Sequence, residues 1–463
     1  MLDLNKLKRI GLDAAGKAAE KASQTVKMGA QKANLSVKNR RAAKSAPEEQ
    51  YIVALDIGTE FVKALIGKVR QDTKQIDIIG VGRQHQALSD MQAGAVSDIA
   101  GVVRNCDEAL GKAEQQAGVS VRTAVIGIAG ELVKGTTTTV RISRKQATKP
   151  LDITEMERII HLVQERAENK ARTQMAWEIS GGGKDVEVRL VNSALVSIEI
   201  DGYPVTNPIG FQGRDVVVQL YTAFAPMIHI GALERVAAEL DIDLLAVAAE
   251  PFAVARSVIG DETNTAFSAV LMDVGGGTTD IAVINEGGVQ GTKMFGIGGR
   301  AYTRAIERDL GVDFDIAEKL KLGMASEDIK SSVPAAKVKA VEASLQKTLS
   351  VWTSGVELAL AEFPQLDHLP HRLLLCGGGS SLDMLMDALQ QSDWYHDLPF
   401  TRKPTVQHIS PSQVVGITDK TGNVADHTYI TAMGLLRVGL DTLNYAGSSG
   451  NSVKEKIDRI LQT

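Results

Sequence analysis

Two aspartates stand at the ends of apolar runs, each with a small-residue turn directly behind it. The first is Asp56, in YIVALDIGTEFVKALIGKV from Tyr51; the second is Asp273, in AVLMDVGGGTTDIAVI from Ala269. Residues of these types suit phosphate chemistry. Gly275, Gly276 and Gly277 let backbone N–H groups approach phosphate oxygens with no Cβ in the way, and the hydroxyls of Thr278 and Thr279 add donors. Asp56 and Asp273, at the strand ends, can hold a hydrated Mg²⁺ beside the phosphates. One such hairpin is usually only a turn; two equivalent hairpins in two halves of a chain make a clamp. A third cluster, RLLLCGGGSSLDMLMDAL from Arg372, reads as strand, Gly377-Gly378-Gly379-Ser380 turn and helix start. Small residues there let a flat base and ribose lie against the backbone near a helix N-terminus. The lysine of GxxxxGK[ST] and the spacing of GxGxxG are both missing, which excludes a Walker loop and a dinucleotide fingerprint.

The elements that must position these turns follow from periodicity. YIVALDIG, FVKALIGKV and IDIIGVG are β-branched-rich runs of strand length, followed by a helix over IAGVVRNCDEALGKAEQQAG and a strand at RTAVIGIAG. The second half repeats this with AVLMDVGGG, TDIAVINEGG and VQGTKMFGIGG, then RAYTRAIERDLG as a helix. Sheets and helices in this order predict an α/β fold with two similar lobes. Between the halves, DITEMERIIHLVQERAEN has Asp152 near its cap and Met156, Ile159, Ile160 and Val163 at helical spacing. With the strand-like VRLVNSALVSIEIDG and GRDVVVQLYTAFAP it predicts an inserted α+β unit over 131–226. A second helical stretch falls at about 302–365, in which ASEDIKSSVPAAK reads as a loop.

Bulk properties narrow the class. A chain of 463 residues exceeds one ordinary core, so two or more lobes are expected. Its 44% hydrophobic and 23% charged content is that of a soluble globular protein. Cys106 and Cys376 lie far apart without metal-ligand spacing, which points to a reducing compartment. His368 and His371 have the spacing of one helix face, but no acid or cysteine cluster joins them, and they read as surface residues. No run of eighteen apolar residues exists, and the start lacks the apolar core of a secretory signal, so a cytoplasmic location is expected. The net charge of −5 hides an asymmetry: residues 1–47 hold eleven Lys or Arg against Asp3, Asp13 and Glu20, a balance of +8. A basic arm on an acidic body suits an anionic partner, lipid headgroups or nucleic acid, or else is a solvated tail.

LDIGT, AEPFAVA, MDVGGGTTDIAV, LLLCGGGSSL and ITAMGLL occur in the order of the five motifs of the actin-like ATPase superfamily. The chain resembles that superfamily over nearly all of residues 51–440. The resemblance implies ATP with Mg²⁺ bound between two lobes. Carried over motif by motif, it gives Asp56, Gly58, Thr59 and Lys63 to one side of the phosphates. Asp273, Gly275, Gly276, Gly277, Thr278 and Thr279 fall on the other, and Gly377, Gly378, Gly379 and Ser380 on the adenosine. Asp56 and Asp273 are the implied metal ligands, largely through water. Glu250 matches the position that orients attacking water and is the catalytic candidate; otherwise it is a helix-capping acid. Glu318 and Lys321, in AEKLKLG, match an E-x-x-K pair beside the nucleoside.

IEIDGYPVTNPIGFQG from Ile198, the helix DITEMERIIHLVQERA and FGIGGRAYTRAIERDLGVDFDIAEKLKLG are similar to the FtsA family of bacterial division proteins. The basic N-terminal arm (1–50), a disordered tail or a membrane-induced helix, is extra to that pattern; the likeness implies subdomain 1A (51–130 with 227–250 and 430–445) and a 1C insert (131–226). It further implies subdomain 2A (251–301 with 371–429), 2B (302–370) and a linker with a terminal amphipathic helix (446–463). It implies a protein that binds ATP, hydrolyses it weakly if at all, and polymerises. Such a protein tethers FtsZ filaments to the inner face of the cytoplasmic membrane at the division site. Expected partners are the FtsZ C-terminal peptide at 302–370, further copies of the chain, other division proteins and an anionic membrane surface, and not nucleic acid. The membrane face is Val453, Ile457, Ile460 and Leu461, with Lys454, Lys456 and Arg459 toward the other side. Burying four aliphatic side chains yields about 6–10 kcal/mol at most, and ordering the tail consumes much of it. One tail alone therefore binds reversibly; polymerisation or the basic arm strengthens it. The alternative is an actin-fold adaptor of a pilus-assembly machine like PilM. A sugar kinase needs a cleft base and sugar ligands, and a chaperone needs a peptide domain after residue 440.

Overall fold

The computed structural model describes residues 50–447 apart from 71, 132, 182–185, 260–266, 325–326 and 392. The basic arm and the segment bearing Val453, Ile457, Ile460 and Leu461 lie outside the described residues. The described residues form seventeen strands. In the first part they are β1 (Tyr51–Ile57), β2 (Phe61–Arg70), β3 (Gln75–His85), β4 (Met91–Gln92), β5 (Ala95–Val96) and β6 (Thr123–Ile128). The middle holds β7 (Lys134–Ser143), β8 (Val188–Ile200), β9 (Tyr203–Pro204), β10 (Asp215–Pro226) and β11 (Asp243–Ala249). The last part holds β12 (Ala269–Val274), β13 (Thr279–Asn285), β14 (Gly288–Phe295), β15 (Arg372–Cys376), β16 (Thr405–His408) and β17 (Ile417–Asp419).

One sheet runs β11-β6-β1-β2-β3-β17. β1, β2 and β3 form an antiparallel meander, and the helix Ile99–Ala117 returns the chain so that β6 lies parallel to β1. Near-continuous apolar runs in β1 and β6 bury on both faces, as inner strands covered by helices must. The helix Ile430–Gly447 packs on β1 and against the helix Glu250–Ile259.

The second sheet runs β16-β15-β12-β13-β14-β7-β10-β8-β9. Its meander β12-β13-β14 copies β1-β2-β3, with β15 parallel to β12 and β16 parallel to β15. The helices Gly299–Leu310 and Ala335–Ala361 cover it through Tyr302, Ile306, Leu345 and Trp352 against Val270, Met272 and Ile281. The insert is not a detached unit: its strands extend this sheet, because Gly291 and Thr292 of β14 pair with Thr136 and Gly135 of β7. The expected helix face is buried, with Met156, Ile159, Ile160 and Val163 packed on Val140, Ile198, Val216, Val218 and Leu220. Asp152 caps that helix by accepting from the Glu155 N–H at 2.9 Å. The helix runs on to Ser180, well past the expected end, and stops where Gly181 turns left-handed.

Three local expectations change. ASEDIKSSVPAAK is not simply a loop: it contains the helix Glu327–Ser332, ended by Pro334, which begins the helix Ala335–Ala361. His368 and His371 share no helix face; both sit in the turns ahead of β15. The short hairpin β4-β5, between β3 and its following helix, carries no periodicity and was not foreseen. No helix among the described residues is long and apolar enough to cross a membrane.

Candidate functional site

The two hairpins are the same device built twice. In β1-β2 the register pairs Asp56 with Lys63, and the Gly58 N–H closes the turn onto the Phe61 carbonyl at 3.1 Å. In β12-β13 it pairs Asp273 with Asp280, and the Gly275 N–H closes onto the Thr278 carbonyl at 2.9 Å. The turns abut each other. A Cβ on Gly276 would lie 3.0 Å from the Glu60 Cβ, and one on Gly277 2.6 Å from the Thr59 Oγ1, so only glycine permits this approach.

The third glycine turn joins them from β15. Gly377 has φ 82° and ψ 156°, a region essentially reserved for glycine, and a Cβ there would run into the Asp273 carboxylate. A Cβ on Gly379 would lie 2.7 Å from the Gly275 carbonyl. A fourth pair, Gly298-Gly299, was not singled out from sequence. The Gly299 N–H donates to the Gly275 carbonyl at 2.9 Å and the Arg300 N–H to that of Gly276 at 2.8 Å. Its signal was present as a second Gly-Gly directly ahead of a helix. Gly378 is open, with no atom within 4 Å of its Cβ position.

Charge is concentrated beneath these turns. Lys63 Nζ stands 2.9 Å from Oδ2 of the buried Asp56, its own side chain mostly covered. Burial works against the ammonium, but Asp56, and Asp273 behind it, more than offset this and raise its pKa. Glu250, first residue of its helix, is 7% exposed, and a Cβ on Gly127 of β6 would lie 2.9 Å from its Oε1. Burial, then Asp56, Asp280 and Asp273, push Glu250 well above the usual carboxylate range, with Lys63 pulling back. Burial followed by Asp273 does the same to Asp280, restrained by the Thr278 hydroxyl 3.2 Å from its Oδ2. Asp273 is raised by burial, while the Thr431 hydroxyl that donates to it and Lys63 hold it down. The Oδ1 of Asp280 is buried with no hydrogen-bond partner. Asp280 and Thr431 were in the quoted motifs, but their roles depend on cross-strand register and on packing between remote segments.

Other sequence candidates divide. Glu318 and Lys321 do pair, at 2.8 Å, and Lys321 also donates to Thr303 Oγ1 at 2.9 Å and to the Gly299 carbonyl at 3.2 Å, beside the glycine turns. Ser380 is buried, its hydroxyl donating to the Gly377 carbonyl at 2.7 Å and so bracing its own loop. Thr279 departs from expectation. Alternation along β13 turns it away from Thr278, and its hydroxyl donates to the Ile297 carbonyl at 2.7 Å and accepts from the Trp352 indole at 2.9 Å. It supports the lobe rather than the cradle. Cys106 and Cys376 are buried thiols raised by burial. Among the described residues no three His, Cys, Asp or Glu side chains converge closely enough to hold a metal by themselves.

Two α/β lobes carrying duplicated Asp–turn hairpins, with a glycine turn from a parallel strand closing on the second, define the actin-like fold. A solved chain titled "PilM-PilN type IV pilus biogenesis complex" superposes with a TM-score of 0.58 over 84% of this chain and 98% of its own, at 16% identity. Residues 270–434 match the family model described as "Cell division protein FtsA". Similar relatives of that name occur in Pseudomonas aeruginosa (26% identity, 89% of this chain, 96% of theirs) and Neisseria meningitidis serogroup B (28%, 84% and 90%). That of Escherichia coli K12 is 25% identical over 86% of this chain and 92% of its own. Over most of its length the chain is similar to cell division proteins of the FtsA family.

Proposed function

We propose that the chain binds ATP with Mg²⁺ between its lobes, assembles with further copies of itself, and tethers FtsZ filaments to the cytoplasmic membrane. The observation that carries this is the meeting of two equivalent Asp–turn hairpins and the Gly377–Ser380 turn in one backbone cradle. The residues present fit the implied groups. Close-packed glycine backbone offers N–H donors to phosphate oxygens, while Asp56 and Asp273 outnumber Lys63 and would repel a bare polyphosphate. A divalent cation held by Asp56 and Asp273, chiefly through water, supplies the positive charge that reconciles the two. The unpartnered Oδ1 of Asp280 is a further acceptor available to its water shell. Lys63 neutralises Asp56, and the Glu318–Lys321 pair stands where it can orient a nucleoside. Glu250 is the candidate base for an attacking water, its carboxyl pushed up by burial and by Asp56, Asp280 and Asp273.

Docking of the FtsZ tail falls to the helical stretch 302–370, and membrane attachment to the two ends of the chain. Fluorescence anisotropy of the FtsZ C-terminal peptide from the same genome, titrated with purified full chain, tests the tether. Saturable binding that is lost on changing exposed residues in 302–370 is expected. No binding at high protein concentration, with and without ATP, overturns the tether and favours an adaptor role like that of PilM.

A further inference from the structure

Two histidines meet beside the Gly377–Ser381 turn. His408 ends β16 in the nine-stranded sheet; His427 opens the turn His427–Tyr429, which touches β15 and leads into the helix packed on the six-stranded sheet. Their rings stack with centroids 3.8 Å apart and planes 5° from parallel. Each also holds the Gly377–Ser381 turn. His408 Nε2 lies 3.1 Å from the Ser380 carbonyl, His427 Nε2 lies 3.0 Å from Ser381 Oγ, and the His427 carbonyl accepts from the Gly377 N–H at 3.2 Å. A carbonyl only accepts, so His408 carries its proton on Nε2 and its free nitrogen is Nδ1.

We propose that the His408–His427 stack is a pH-sensitive clasp that holds the glycine turn and the start of the helix Ile430–Gly447 to the nine-stranded sheet while the rings are neutral and loosens as the stack takes up charge. Two imidazolium rings in face-to-face contact repel, so taking up the second proton favours separation. The charged groups facing the pair are Asp426, Lys63 and Arg83. Asp426 is turned onto Thr428, accepting from its N–H at 2.9 Å and its hydroxyl at 2.6 Å, and Arg83 acts on it from β3. Lys63 is held by Asp56. For His427, burial, then His408 and Lys63, oppose the charged ring, while Asp426 favours it; the balance lies below the ordinary value. The sign follows: a histidine lowered in the closed state stabilises closure above its free pKa, and that stability is lost as pH falls through about 6.5.

The clasp deepens the nucleotide reading, on which its consequence for ATP rests. Spin labels on Glu108→Cys and Ser354→Cys, exposed on helices of the two lobes, report their separation in the full chain without nucleotide, from pH 8 to 5.5. Isothermal titration of the unlabelled chain with Mg-ATP over the same range reports affinity. The expected results are a longer, broader separation below about pH 6.5 and an affinity falling about tenfold for each unit by which closure lowers the His427 pKa. The opening on acidification is expected to shrink at least twofold in His427→Gln, which keeps a partner for Ser381 without the charge, and in His408→Gln, what is left coming from the acids of the cradle. A separation unchanged from pH 8 to 5.5, or an opening that shrinks less than twofold in both variants, overturns the clasp. Opening without any ATP binding at pH 8 upholds the clasp and defeats the nucleotide reading.

Discussion

Replacing Lys63 by methionine keeps most of the side chain's volume and removes the ammonium facing Asp56. The pair stands at 2.9 Å with side chains 13% and 4% exposed. At an effective dielectric of 20 the gross attraction is about 6 kcal/mol, and breaking a buried pair on one side costs about 3–5 kcal/mol. For a folded body spanning residues 50–447 the unfolding entropy is about 0.8 kcal/mol/K, so the melting temperature should fall by about 4–6 °C at pH 8. The pH dependence is the sharper test. Glu250, Asp273 and Asp280 are acids raised in the folded state. Between their unfolded and folded pKa values the native protein binds more protons than the unfolded chain, so stability falls as pH rises through that window. The slope is about 1.4 kcal/mol per pH unit for each proton so held. Lys63 pulls Glu250 and Asp273 down; without it they rise further and the fall continues to higher pH. Calorimetric scans of the full chain in chelator at pH 5, 6.5 and 8 should show the deficit of Lys63→Met growing with pH. A loss below 1 °C at pH 8, or a larger loss at pH 5 than at pH 8, refutes this account of the cluster.

Gly377→Ala forces a Cβ toward the Asp273 carboxylate at a φ of 82°. The backbone alone should cost about 1–3 kcal/mol, read as a lower melting temperature together with loss of Mg-ATP affinity by calorimetric titration. Glu250→Gln keeps the shape and removes the proton exchange. It should abolish residual phosphate release from ATP while leaving the Mg-ATP dissociation constant within about threefold, since a base contributes to turnover and not to ground-state binding. Deleting residues 1–47 removes a charge of +8. Co-sedimentation with anionic vesicles should weaken and lose its salt dependence; unchanged binding excludes the arm as a lipid contact.

The parts of the site that lie within one hairpin were legible because a turn's chemistry is local. Asp56 with Gly58, Asp273 with its three glycines, and Gly377–Gly379 each announced a strand end and a bend that excludes side chains. The helix face of Met156, Ile159, Ile160 and Val163 was legible for a similar reason, since its period is set by the helix itself. What the sequence concealed is joining. Nothing in VQGTKMFG or KGTTTTVRIS says that Gly291 pairs with Thr136 and makes the insert an extension of the second sheet. Thr431 donating to Asp273 and His427 stacking on His408 join segments 158 and 19 residues apart, and each meeting is decided by packing of whole elements. Thr279 shows the opposite error: the residue type suited a phosphate, but the alternation of a strand turned it into the core.

The two hairpins are copies with one substitution that matters. Opposite Asp56 the register places Lys63, so the first hairpin neutralises itself; opposite Asp273 it places Asp280, so the second sets acid against acid. Two buried carboxylates facing each other cannot both ionise without an external cation or a donor. Thr278 donates to Asp280 from within the hairpin; the donor to Asp273 comes from outside the lobe. Thr431, near the start of the helix that packs on β1, gives its hydroxyl to Asp273, and a bond to an ionised carboxylate is stronger than one to a neutral acid. The charge on Asp273 therefore bears on how firmly that helix is held against the second sheet. On the other side of the cleft, Arg300 reaches Glu60 at 2.7 Å and Glu60 reaches His85 at 2.7 Å. An asymmetry of one residue between duplicated hairpins thus ties the electrostatics of the cradle to the seating of the two lobes.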